Sequence, residues 1–286
     1  MIMTTSTFLN LFIQELDENL NLFPYYKLNH GSFAQKEFRK AYFLQRLNFI
    51  EKHIEKKENI AILDCGCGYG TTAFFLSMND IPVLGTTLEF YFDQIDNRKK
   101  YWSSYGNIEN VVFEYQNIFE STFKGNSFDY IILQDTLHHI EPVAEAIQIF
   151  FKLLKKDGKL ILVEENGACF ARQAILFAKR RNKRIIEYFD PKLQKTILLG
   201  NENIRTEKEW IRLFENEGFT NMANETGYVR FYYPFAYKSK KMEKIIEKEQ
   251  KIAQKNAWLR SRFFFGINMV FAKNYISQND TLYYEK

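Results

Sequence analysis

The stretch AILDCGCGYGTTAFF, residues 61–75, decides the fold. An apolar run ends in an acid, glycines fall at positions 66, 68 and 70, and a helix-compatible segment starts at Thr71. A strand that turns sharply into a helix reads this way. Glycine accepts left-handed backbone angles and lets a ligand approach without an intervening Cβ. The start of the helix then offers unpaired N–H groups to whatever lies in the turn.

Upstream, the segment from Ser32 to Lys56 spaces Phe33, Phe38, Tyr42, Phe43, Leu47 and Ile50 at helical intervals and leads into strand IAILD at 60–64. Downstream the pattern alternates. A helix from about Thr71 precedes strand IPVLGTT (81–87), and a helix from about Phe90 precedes strands VVFEY (111–115) and FDYIILQ (128–134). A helix opened by Pro142 and closed at KKDG, with Gly158 as a left-handed cap, leads to strand KLILVEE (159–165). Five short apolar strands separated by helices imply an α/β fold with a doubly wound, Rossmann-like parallel sheet. Beyond it lies an Arg- and Lys-rich segment (168–200). Thr206 and Glu209 then form a capping box for a helix that stops at Gly218, followed by a strand over about 219–233, a charged helix around 239–257 and the apolar FFFGINMVFAK.

The loop chemistry narrows the ligand. Gly-rich turns of this kind serve dinucleotides and other nucleosides alike. Asp64, two residues before the first glycine, would repel a pyrophosphate but suits a ligand bearing an ammonium and a sulfonium. Glu89, about twenty residues past the glycines, is placed to accept hydrogen bonds from ribose hydroxyls. In EYQNIF (114–119), Asn117 is placed to face an adenine amino group and Ile118 to cover the ring. QDTLHHIEP (134–142) ends the fourth strand beside the expected crevice and brings Gln134, His138 and His139 to it.

ILDCGCGYG, Glu89, the turn at Asn117, FDYIILQDTLHHIEP and LLKKDGKLILVEE together resemble the successive motifs of class I S-adenosylmethionine-dependent methyltransferases, over roughly residues 58–233. They look most like the branch acting on small molecules. The resemblance implies a seven-stranded sheet with an antiparallel last strand, N-terminal helices and a helical lid. It places S-adenosyl-L-methionine against Asp64, Gly66, Cys67 and Gly68 at the methionine end, Glu89 at the ribose, and Asn117, Ile118 and Gln134 beyond. The family often has Asp where this chain has Asn117. The implied organisation is a helical segment at 1–57, the methyltransferase domain at 58–273 with insertions at 168–204 and 234–262 that build the lid and substrate site, and a tail at 274–286.

His138 or His139 would serve as a base for a hydroxyl acceptor, near an unperturbed pKa of about 6.5; equally, a histidine here packs or caps. The pair Cys65 and Cys67 lacks His or Cys partners at metal-site spacing, so no metal is expected. The stretch ARQAILFAKRRNKR (171–184) reads as a lid helix with a solvated basic face, or as a segment lying on an anionic surface or gripping a lipid-linked substrate. Lys and Arg number 39 against 35 Asp and Glu, too mild an excess to argue for nucleic acid. Three cysteines give no secreted disulfide framework, and no apolar run reaches the roughly 18 residues of a membrane span. A cytoplasmic enzyme acting on a small molecule is the expectation. The alternatives are a non-catalytic nucleoside-binding protein and a nicotinamide-dependent oxidoreductase.

Overall fold

The computed structural model describes residues 2–19, 21–28, 31–88, 90–231 and 240–273. Helices α1 (Thr5–Glu18), α2 (Phe23–Tyr26) and α3 (Phe33–Lys52) lead to the sheet. Next come β1 (Ile62–Cys65), α4 (Thr71–Ser77), β2 (Val83–Thr87), α5 (Ile95–Trp102), β3 (Val111–Tyr115), β4 (Phe128–Gln134), α6 (Val143–Leu153) and β5 (Leu154–Glu165). Then follow α7 (Phe170–Arg180), β6 (Ile185–Asp190), β7 (Lys195–Gly200), α8 (Glu207–Asn216), β8 (Thr220–Asn221), β9 (Gly227–Phe231), α9 (Met242–Lys255), α10 (Ala257–Phe263) and β10 (Phe264–Ala272).

The main sheet runs β3-β2-β1-β4-β5-β10-β8, with β9 also paired to β10. Its first five strands are parallel, and β10 runs antiparallel to β5. β8 and β9 pair with opposite ends of β10, so the sixth of the seven expected strands is present in two pieces, interrupted by a 3₁₀ turn at Ala223–Glu225. β1 and β4 are buried along nearly their whole length, as central strands covered on both faces must be. Phe74, Phe75, Trp102 and Phe8 fill the layer on one face, and Phe150, Trp210, Phe214 and Phe271 are fully buried in the second cluster.

Three local expectations need correction. Gly158 is not a left-handed cap: α6 ends at Leu153, β5 begins directly at Leu154, and Asp157 takes the positive φ of 62°. The lid, expected to be helical, is only partly so: a helix does form within 171–184, as part of α7, but it is followed by the antiparallel hairpin β6–β7, closed by a turn with Gln194 at φ 54°. The face of α7 turned to solvent is apolar, not basic. Thr206 and Glu209 do form a capping box, with the Thr206 hydroxyl accepting from the Glu209 N–H, and Gly218 takes φ +90° after α8.

α1 is fastened to α5 by a buried ion pair. Arg98 donates from Nε and Nη2 to the two oxygens of Glu15 at 2.8 and 2.6 Å, and Trp102 Nε1 donates to the same carboxylate at 3.0 Å. Arg98 Nη1 also donates to the Tyr69 carbonyl and the Thr71 hydroxyl, both at 2.7 Å, which ties the N-terminal helix to the glycine loop. α9 packs on α3 and β9; its buried Glu249 accepts from Gln45 and from the backbone N–H groups of Arg230 and Phe231. No described residue of 240–263 lines the cleft discussed below, whereas β6, β7 and the following turn do. Residues 274–286 lie outside the described chain.

Candidate active site

A cleft of about 1110 Å³ opens at the carboxyl ends of β1 to β4, where a doubly wound sheet places its ligands. The glycine loop forms its floor. Gly66, Gly68 and Gly70 have φ of 74°, 54° and 75°. A Cβ on Gly66 would lie 2.1 Å from Thr136 Cγ2, so position 66 needs glycine for both conformation and space. Gly66 and Cys67 donate their N–H groups to the Thr86 carbonyl at 2.7 and 2.9 Å, which seats the loop against β2.

Asp64 lines the cleft, is 1% exposed, and its Oδ2 has no hydrogen-bond partner. Burial lifts its carboxyl to about 7. A buried, unpartnered carboxylate oxygen is costly unless a cation answers it. The ammonium of a methionine-type ligand is a fitting partner. Burial also holds both cleft thiols neutral, Cys65 rising to about 12 and Cys67 well above its usual range.

Asp64, Gly66, Cys67, Gly68, Asn117, Ile118, Gln134 and His139 all line the cleft. Glu89 lies outside the described residues. Asn117 Oδ1 caps the turn by accepting from the Phe119 N–H at 3.2 Å, and Gln134 Oε1 accepts from the Thr72 hydroxyl at 2.8 Å. The neighbouring Gln116 lines the cleft with a buried Oε1 that has no partner, and so offers an acceptor for an adenine amino group; the motif reading passed over it.

The two histidines part company. His138 is buried and is not among the residues lining the cleft; its Nδ1 meets Glu164 Oε2 at 2.5 Å. Burial pulls the imidazole pKa down, but Glu164 outweighs it and raises the value to about 9. Glu164 Oε1 also accepts the N–H groups of Thr136, Leu137 and His138, so one buried carboxylate shapes the turn after β4. His139 lines the cleft, and its Nδ1 lies 2.9 Å from the Gly200 carbonyl, which can only accept. Nε2 is therefore the unprotonated nitrogen of the neutral ring. Burial and the neighbouring His138 hold its pKa below the ordinary value. His138, His139 and Glu202 bring three ligand-type atoms within 4.8 Å of one another, with Glu202 already paired to Arg172 at 2.5 Å.

Several cleft residues come from elements far apart in sequence. Arg46 on α3 pairs with Asp135 at 2.6 Å and lies over the Tyr42 ring. The guanidinium of Arg230 rests on the rings of Phe265, Tyr42 and Phe38, at 4.3, 5.1 and 5.5 Å. Its φ of 61° is held by Glu249, which accepts its N–H. Among the described residues no carboxylate pairs with the Arg230 side chain. Tyr26 bonds the Thr71 hydroxyl at 2.6 Å and lines the cleft beside the glycine loop. The hairpin crosses above: Ile140 bridges to Leu199, and Asp190 accepts from the Tyr115 hydroxyl at 2.7 Å.

With this geometry in hand, comparison with known proteins decides the family. The family profile described as a methyltransferase domain matches residues 35–226. The chain belongs to that family. Its fold is that of the class I S-adenosylmethionine-dependent methyltransferases, and S-adenosyl-L-methionine is the cofactor of that family. Phosphoethanolamine N-methyltransferase of Triticum aestivum is 30% identical over 115 residues, covering 38% of this methyltransferase-family chain and 21% of the wheat enzyme. The chain thus matches about a fifth of that relative's length. A putative sarcosine dimethylglycine methyltransferase from Galdieria sulphuraria superposes with a TM-score of 0.57 at 13% identity, over 86% of this chain and 91% of that one. A geranyl diphosphate methyltransferase does so at 0.57 and 12%, over 84% and 80%. At such identities the structural likeness is one of fold. No described helix is long and apolar enough to cross a membrane.

Proposed function

We propose that the chain transfers the methyl group of S-adenosyl-L-methionine to a small molecule that carries an anionic group. Asp64 would hold the cofactor's ammonium, the Gly66–Gly68 turn its methionine portion, and Gln116 with Asn117 and Ile118 its adenine. The cofactor supplies an electrophilic methyl on a good leaving group, so the protein's work is to orient the acceptor in line and exclude water.

The observation that carries the acceptor class is Arg230, a cleft-lining guanidinium bedded on three aromatic rings with no carboxylate partner among the described residues. Arg39 lines the same wall, and burial together with the charge of Arg230 lowers its pKa. The acceptors named for the three relatives above, phosphoethanolamine, sarcosine or dimethylglycine, and geranyl diphosphate, each carry a phosphate or carboxylate. For a hydroxyl or ammonium acceptor, His139 Nε2 would take the proton; an already nucleophilic atom needs no base.

The test is incubation with methyl-labelled donor and a metabolite extract split by anion exchange. Label should enter the retained fraction, and Arg230→Met should abolish it while leaving S-adenosylhomocysteine binding intact. Label confined to the unretained fraction refutes the acceptor class. No heat with S-adenosylhomocysteine, alongside heat with NADH, refutes methyl transfer itself.

A further inference from the structure

α7 is amphipathic in the wrong sense for a helix covering a protein in water. At 100° per residue, Phe170, Ala174, Phe177 and Ala178 share one side and Ile175 borders it. That side faces outward, with Phe177 62% and Phe170 51% exposed, while Leu176 is buried beneath. The polar residue on the inner side, Arg172, is bound to Glu165 and Glu202. The apolar surface continues at the helix start, where Phe170 meets Phe263 edge-on at 6.2 Å and Phe263 meets Trp258 at 5.4 Å, with Trp258 itself 59% exposed. The hairpin carries apolar side chains on both sides: Ile186, Tyr188, Ile197, Leu198 and Leu199 line the cleft, while Ile185 and Phe189 are exposed away from it.

Charge says what covers this face. Residues 170–184, FARQAILFAKRRNKR, hold six basic side chains and no acid. Among the described residues, Lys179, Arg180, Arg181, Lys183 and Arg184 have no ion-pair partner, and Arg184 depresses the pKa of Arg180, after the larger effect of burial. A second copy of the same surface would bring like charges together. Exposed Phe and Trp beside uncompensated Lys and Arg match the headgroup and upper acyl region of an anionic bilayer.

We propose that α7, with Trp258 and the outer side of the β6–β7 hairpin, docks this protein on anionic membrane surfaces, without spanning them. The proposal does not depend on the methyl-transfer reading.

Its test is co-sedimentation of the full chain with phosphatidylcholine vesicles, with and without phosphatidylglycerol. The expected result is pelleting with the mixed vesicles only, reversed by high salt. Arg181→Glu with Lys183→Glu should lower the bound fraction at least tenfold, and Phe170→Ser with Phe177→Ser should do the same. None of these four residues lines the cleft, so S-adenosylhomocysteine affinity and the circular dichroism spectrum should be unchanged in both variants. Equal pelleting with both vesicle types, or none with either, overturns the proposal. So does sedimentation velocity showing a dimer that the Phe170→Ser, Phe177→Ser variant loses while vesicles bind nothing, which would make the face a contact between copies.

Discussion

Cofactor binding should be pH-dependent through Asp64. Its carboxyl is enclosed, and desolvation moves it from 3.8 to about 7. A bound ammonium requires the carboxylate form. With a free-protein value of about 7, about half of the molecules are ionised at pH 7 but only about one in a hundred at pH 5. The apparent affinity for S-adenosylhomocysteine, whose amine stays protonated throughout, should therefore fall about fifty-fold over that range, ~2.3 kcal/mol. The stability of the empty protein moves the other way. The native state holds its Asp64 proton above pH 3.8 and the unfolded chain does not, so this group's contribution to stability is lost as pH rises from 3.8 through 7. The assay is isothermal titration calorimetry at pH 5, 6 and 7 on the wild type and on Asp64→Asn. The variant should bind more weakly at pH 7 and show a nearly flat profile. Burial also raises Glu165 to about 7, so the comparison of slopes assigns the effect. Equal wild-type affinity at pH 5 and 7, or an Asn variant that keeps the full slope, would refute the reasoning.

Glu15→Ala strands the guanidinium of Arg98 in the core and should cost about 3–5 kcal/mol in urea unfolding, since breaking one side of a buried pair leaves an uncompensated charge. His139→Ala should reduce turnover of a hydroxyl acceptor roughly 10²–10⁴-fold in steady-state kinetics, with the calorimetric affinity for S-adenosylhomocysteine little changed. His138, raised to about 9 beside Glu164, supplies stability that is complete below about pH 6.5 and lost as pH rises through 9. Denaturant titrations from pH 6 to 10 should show that decline in the wild type and not in His138→Gln.

The strands that position the site were legible because local signals bounded them. β3 and β4 fall at the expected residues, each an apolar run between polar turns. The hairpin escaped notice although IIEYFD and KTILLG alternate; the preceding basic run drew the reading toward a helix, and the turn uses Gln194 rather than glycine. At 157–158 a left-handed residue was foreseen, but Asp157 takes it, an acid that tolerates that region better than most side chains. Asp64, the glycines and His139 could be read from motif spacing. Arg46 with Asp135, 89 residues apart, and Glu15 with Arg98, 83 apart, could not, because no periodicity links side chains that meet only once the sheet is assembled. Gln116 was hidden by its neighbour: Asn117 matched the motif, while only the fold shows which of the two amides is left without a partner.

The hairpin held by the Ile140–Leu199 bridge and the Tyr115–Asp190 hydrogen bond also bears on the order in which ligands come and go. If the donor's nucleoside lies beneath it, as proposed, the donor would bind first and the spent thioether would leave last. Initial-rate patterns should then be those of a compulsory sequence, with S-adenosylhomocysteine competing against the donor alone. The turnover ceiling would be set by how fast the Tyr115–Asp190 latch lets go.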